Sequence, residues 1–218
     1  MENIKFKEQS KAAVLLIIGS LGVFFTSLSY LKCPPLLALP QLSTPPESYL
    51  KFATEQLIWL KIASNIGVFS DLFLFIACVF YAFKIDRNFL LQFSWIWLGL
   101  CSLIFFFVDA MLGHLLYPLV VDNNLPGLVI SKYFFNLTFM LGVFCYFIGA
   151  FTYFLFKINN QKEHKIMNCL GIITAVSSGI SFIAFLLGFY IPMVAGGSIL
   201  VGSALFTIIG FLHLELNH

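Results

Sequence analysis

Six runs of apolar residues dominate this chain, each long enough to cross a lipid bilayer. A hydrocarbon core about 30 Å thick takes roughly 20 residues of helix. Runs of that size lie at about Ala12 to Leu31, Leu57 to Phe83, Phe89 to Gly113, Tyr133 to Phe156, Cys169 to Phe189 and Met193 to Leu212. Only 10% of the residues are charged and 60% are hydrophobic, whereas an ordinary soluble domain is about 25% charged. So few charges do not cover a soluble surface of this size, which leaves lipid as the main solvent. The fold expected is an all-α, polytopic membrane helical bundle, one transmembrane domain spanning residues 1–218. Only Tyr190-Ile191-Pro192 separates the last two runs. A tight helical hairpin fits there better than one fused helix, because Pro192 and Gly196-Gly197 disfavour continuation.

Orientation follows from Lys and Arg in short loops. Lys5, Lys7, Lys11, Lys84, Arg87, Lys157, Lys162 and Lys165 fall on one side of a six-crossing chain, against Lys32, Lys51 and Lys132, with Lys61 near that second boundary. Both termini are therefore expected in the cytoplasm, with the protein in the cell inner (cytoplasmic) membrane. The first run reads as a retained helix, since neither Tyr30-Leu31-Lys32 nor Lys32 before Cys33 suits a signal peptidase. A net charge of +2 is too small to suggest nucleic acid as a partner. Membrane lipid is the expected partner, along with a membrane protein or further copies of this chain.

Two outer segments carry their own signals. In residues 32–56 an extended start at Cys33-Pro34-Pro35 leads to Thr44-Pro45-Pro46-Glu47, a capping box with proline at the first helical position. Glu47, Lys51 and Glu55 then repeat at four-residue spacing beside Leu50, Ala53 and Leu57, so a short outer amphipathic helix is expected between the first two crossings. His114 to Lys132 is mostly apolar, with a turn signal at Asp122-Asn123-Asn124-Leu125-Pro126-Gly127.

Ionisable residues inside a membrane helix are costly and usually face the bundle interior. On the second run Lys61, Ser64, Asn65, Asp71 and Cys78 fall within an arc of about 140° at 100° per residue, a polar seam. On the third, Trp95, Ser102 and Asp109 recur at sevens and share a face. Lys61 and Asp109 each lie about one turn, ~6 Å, inside the outer boundary, so the pair is a candidate intramembrane ion pair. Its alternative role is helix registration without chemistry. Asp71 falls near mid-bilayer, with Ser178 and Ser181 of the fifth run at similar depth. A neutral Asp71 donating to a serine is one reading. The other is a proton, ion or substrate site built from Asp71, Asn65, Ser64, Ser178 and Ser181. Small residues at four-residue spacing, such as Gly171, Ala175 and Gly179, read as helix-packing surfaces.

No catalytic constellation is present. His114, His164, His213 and His218 show no i,i+4 pairing, and HExxH, GxSxG, Walker and GxGxxG motifs are absent. No metal or cofactor is expected, and no enzyme activity. Tyr153-Phe154-Leu155-Phe156-Lys157, followed by a polar linker and Met167-Asn168-Cys169-Leu170-Gly171-Ile172-Ile173-Thr174-Ala175, resembles the pattern of a bacterial family of six-helix integral membrane proteins of unknown function. Tyr81-Ala82-Phe83-Lys84 is similar to that family's second-helix exit. Where the family's pattern has Pro-Arg before the fifth helix, this chain has Glu163-His164-Lys165. The resemblance implies the six-helix order and no activity. The leading expectation is thus a non-enzymatic membrane protein acting through packing with lipid or a protein partner. The alternative is a proton-coupled transporter of a small solute or ion, using Asp71 and the polar face of the second helix.

Overall fold

The computed structural model describes residues 2–31, 51, 54–55, 57–160 and 164–215; the amphipathic helix expected near Glu47 lies mostly outside them, and of it Lys51, Thr54 and Glu55 are helical. Six main helices make up the fold: α1 (Glu2–Leu31), α2 (Leu57–Phe80), α3 (Phe89–Met111), α4 (Leu125–Asn160), α5 (Lys165–Leu186) and α6 (Pro192–Glu215). There is no strand among the described residues. Among the described residues, six segments are long and apolar enough to cross a membrane. α2 runs on through a π turn, Tyr81–Ile85. α3 runs on through another, Leu112–Leu116, and a last helical turn, Tyr117–Val121.

Neighbours in sequence are neighbours in space. α1 packs on α2, α2 on α3, α3 on α4, α4 on α5 and α5 on α6, and α6 returns to α1, closing a ring. α1 and α2 meet at backbone level, where a Cβ on Gly19 would stand 2.6 Å from the Leu74 nitrogen; α3 and α4 do so at Gly149, against the Leu98 nitrogen at 2.9 Å. Small residues that let backbones approach are a common way to hold helices together where the hydrophobic effect gives no preference. Gly171 and Gly179 of α5 likewise receive the rings of Phe154 and Phe147. The outward faces are apolar, as at Phe69, Ile130 and Ile166 (63%, 71% and 80% exposed).

The start of α1 and the end of α6 lie at one end of the ring. Glu8 meets Lys84 at 3.1 Å, and His213 Nδ1 lies 2.7 Å from the Tyr81 hydroxyl. This is the terminal end. The other, the hairpin end, carries the turn at Asp122–Asn124 and the α5–α6 connection. At that connection Gly188 has φ +86°. Phe189 N–H donates to the Ala184 carbonyl at 2.8 Å and Gly188 N–H to Phe185 at 3.0 Å, the paired bonds of a Schellman cap.

Several helices differ at their ends from the apolar runs, α1 beginning at Glu2 rather than about Ala12, and two of these differences bear on the site. α4 begins at Leu125, not Tyr133, and the helix expected to stop at Gly113 continues to Val121. His114 and the apolar residues after it form the wall of a longer hairpin. Lys132, expected in a loop, is buried inside α4. Eight further residues of helix add about 12 Å at 1.5 Å per residue. That moves Asp109 from the boundary of the ring towards its middle.

Candidate functional site

The inward face of α2 carries Ser64, Gly67, Ser70, Asp71 and Cys78, all buried, at the spacing that stacks residues along one side of a helix. Trp95, Ser102 and Asp109 of α3 are buried too. The two faces meet, and Asp71 and Asp109, 1% and 4% exposed, come together. Asp109 extends over Gly67, where any Cβ would strike its carboxyl group. There it lies against Asp71, the two carboxyl groups within reach of one another. An ionised carboxylate only accepts hydrogen bonds, so a bond between the two acids requires a proton on one of them.

Two small cavities adjoin Asp71. Towards the hairpin end one is lined by Thr26, Ser27, Phe105, Asp109, Phe139 and Gly196 among others. Towards the terminal end the other is lined by residues including Ser20, Cys78, Cys101, Ser102, Tyr146 and Ser203. Each measures about 30 Å³, enough for a water or two or a small ion and too little for an organic solute. Asp71 Oδ2 and Thr26 Oγ1 are both fully buried and make no hydrogen bond. Thr26 and Ser64 are the exceptions among the buried hydroxyls, and of the two only Thr26 lines the cavity. Ser70, Ser94, Ser102, Thr138, Thr152, Ser198 and Thr207 each donate to a carbonyl one turn back in their own helix, the usual resting place of such a group.

The terminal end of this interior is closed by rings. Tyr81 stacks on Trp95 with centroids 4.6 Å apart, and Trp95 meets Tyr153 at 5.1 Å and Phe206 at 6.0 Å. The polar tips face the rim: Trp95 Nε1–H donates to Asp86 Oδ2 at 2.6 Å, and the Tyr81 hydroxyl meets His213.

The ion pair expected between Lys61 and Asp109 is not what the structure brings together. Lys61 is exposed, and its ammonium lies 5.5 Å from the centroid of the Tyr117 ring. Asp109 instead sits over Gly67, six residues further along α2, about 9 Å along the axis and 120° around it. The longer α3 is the cause, because it carries Asp109 past the level of Lys61. Nor do Ser178 and Ser181 reach Asp71. They belong to α5, which packs on α4 and α6, and donate to Ala175 and Ser177 carbonyls at 2.6 and 2.9 Å. Asn65 points outward, while Ser64 is buried beneath Gly113 with its hydroxyl unpartnered. Of the residues expected around Asp71, Ser64 shares its buried face of α2, and the residue brought against Asp71 is the other acid, Asp109. Sequence reasoning missed Thr26 and Gly67. A glycine four residues before a buried acid was a legible hint; Thr26 had none.

Comparison of the chain with protein-family models, with curated proteins and with solved structures returned no match. The site is therefore read from its own chemistry.

Proposed function

We propose that the chain is a multi-pass integral membrane protein, working as a proton-coupled carrier of a small solute or ion, and that the Asp71–Asp109 pair is its proton site. The acid pair carries this reading. Two like charges in a low-dielectric interior oppose one another, and a single shared proton removes the conflict. A proton is thus the natural ligand of the pair, and its release would leave the site primed to take it back. Packing alone gives no reason for two acids here, since well-packed apolar residues are often at least as stable as buried charges. Intramembrane acids commonly mark ion and proton pathways. The basic residues Lys84, Arg87 and Lys157 support placing the terminal end in the cytoplasm.

The test is proton uptake by proteoliposomes under an imposed pH gradient, with alkali-metal salts and small solutes supplied in turn as the coupled species, followed with a trapped pH-sensitive dye. Uptake is expected from the native protein, and Asp71→Asn or Asp109→Asn should bring it to the protein-free level while each variant still elutes as folded protein. Uptake unchanged in both variants would remove the acids from the mechanism.

A further inference from the structure

We infer that the cavity on the hairpin side of Asp71 is a binding site for one dehydrated monovalent cation of sodium size, with Asp71, Asp109 and the Thr26 hydroxyl as its ligands. This rests on the proton-site reading above and names the ion that shares the site. The cavity of about 30 Å³ admits a small ion without its water shell. Its polar lining is oxygen: two carboxyl groups and the hydroxyls of Thr26 and Ser27. Oxygen donors of this kind suit hard cations. Calcium takes six to eight oxygens, and magnesium keeps several waters, more than this small site offers.

Thr26 is the observation that stands apart from the acids. Its hydroxyl oxygen is buried in a residue 4% exposed, lines the cavity and makes no hydrogen bond. Asp71 Oδ2 is in the same condition. Burying a polar atom without a partner is costly, and a cation between these two oxygens would satisfy both.

The ion and the proton are alternatives. With one proton between the carboxyl groups, the pair carries a single negative charge. When the cation enters and that proton leaves to water, two carboxylates and one monovalent cation again total a single negative charge. One positive charge replaces another, so the exchange is electroneutral at the site.

The experiment uses the purified full-length protein in detergent, with thermal unfolding followed as NaCl replaces choline chloride at constant ionic strength. Sodium should raise the unfolding midpoint and potassium should do so far less. Where the pair is protonated, the half-saturating sodium concentration should rise about tenfold for each unit the pH falls, as expected for one-for-one competition. Thr26→Val, which keeps the shape and loses the oxygen, should raise that concentration about tenfold, the usual scale for one lost hydrogen-bonding ligand; Thr26→Ser should restore it. Identical midpoints in sodium, potassium and choline would overturn the cation site. If proton uptake by proteoliposomes persisted in that case, the acid pair would stand as a proton site alone, and its loss as well would remove both readings. A sodium response untouched by Thr26→Val would overturn the assignment to this cavity.

Discussion

Gly67 decides how close the two acids come. Its missing side chain is the space into which the Asp109 carboxyl group reaches, and that reach brings Asp109 against Asp71. Gly67→Ala should therefore displace Asp109 and disrupt the pair. Overpacking of this kind costs about 1–3 kcal/mol, seen as a lower unfolding midpoint in detergent together with loss of proton uptake. Gly197 is the matching control. A Cβ there meets nothing within 4 Å, so Gly197→Ala should leave uptake unchanged and the midpoint the same or slightly higher. Equal effects of the two substitutions would show that space at Gly67 has no special role. At this scale the sequence was partly legible. Asp71 and Asp109 stood out because acids in apolar runs are costly wherever they lie. Their meeting was not legible, because pairing depends on depth, and Asp109 was placed a turn inside a boundary that lies further out.

The helices were legible as runs and misjudged at their ends. A polar residue such as His114 looks like a boundary, yet a helix carries it through when the residues beyond are apolar and can pack. The π turn at Leu112–Leu116 is where this happens, and it sets Gly113 over Ser64. The α5–α6 connection went the other way. Proline and glycines forecast a break there, and the Schellman cap at Gly188 is the break itself. Gly188 isolates a backbone effect, because a Cβ at its φ of +86° meets no neighbour within 4 Å. Gly188→Ala should cost about 1–2 kcal/mol through the left-handed conformation alone. On the scale of domains this size, the unfolding midpoint should drop by roughly 2–8 °C, with proton uptake intact. An unchanged midpoint would mean that the hairpin relaxes into another turn.

The ring of helices gives the acid pair its surroundings. α1 supplies Thr26, α2 Asp71, α3 Asp109, α4 Phe139 and α6 Gly196, residues scattered over most of the chain. Apolar runs say how many long helices to expect. They do not say that α6 closes onto α1, and that closure is what brings Gly196 and Ile199 to the cavity. The surface ion pair of Glu8 and Lys84 adds little stability but marks which ends come together. The central claim is that one proton is held jointly by Asp71 and Asp109. Infrared spectroscopy of the purified protein near neutral pH, in sodium-free buffer, tests it most directly through the carbonyl stretch of a protonated carboxyl group. A single band sensitive to H/D exchange is expected in the native protein. It should vanish in both Asp71→Asn and Asp109→Asn, because the amide can donate to the remaining carboxylate and leave it ionised. A native protein with no such band, or a band that survives intact in either variant, would contradict a shared proton.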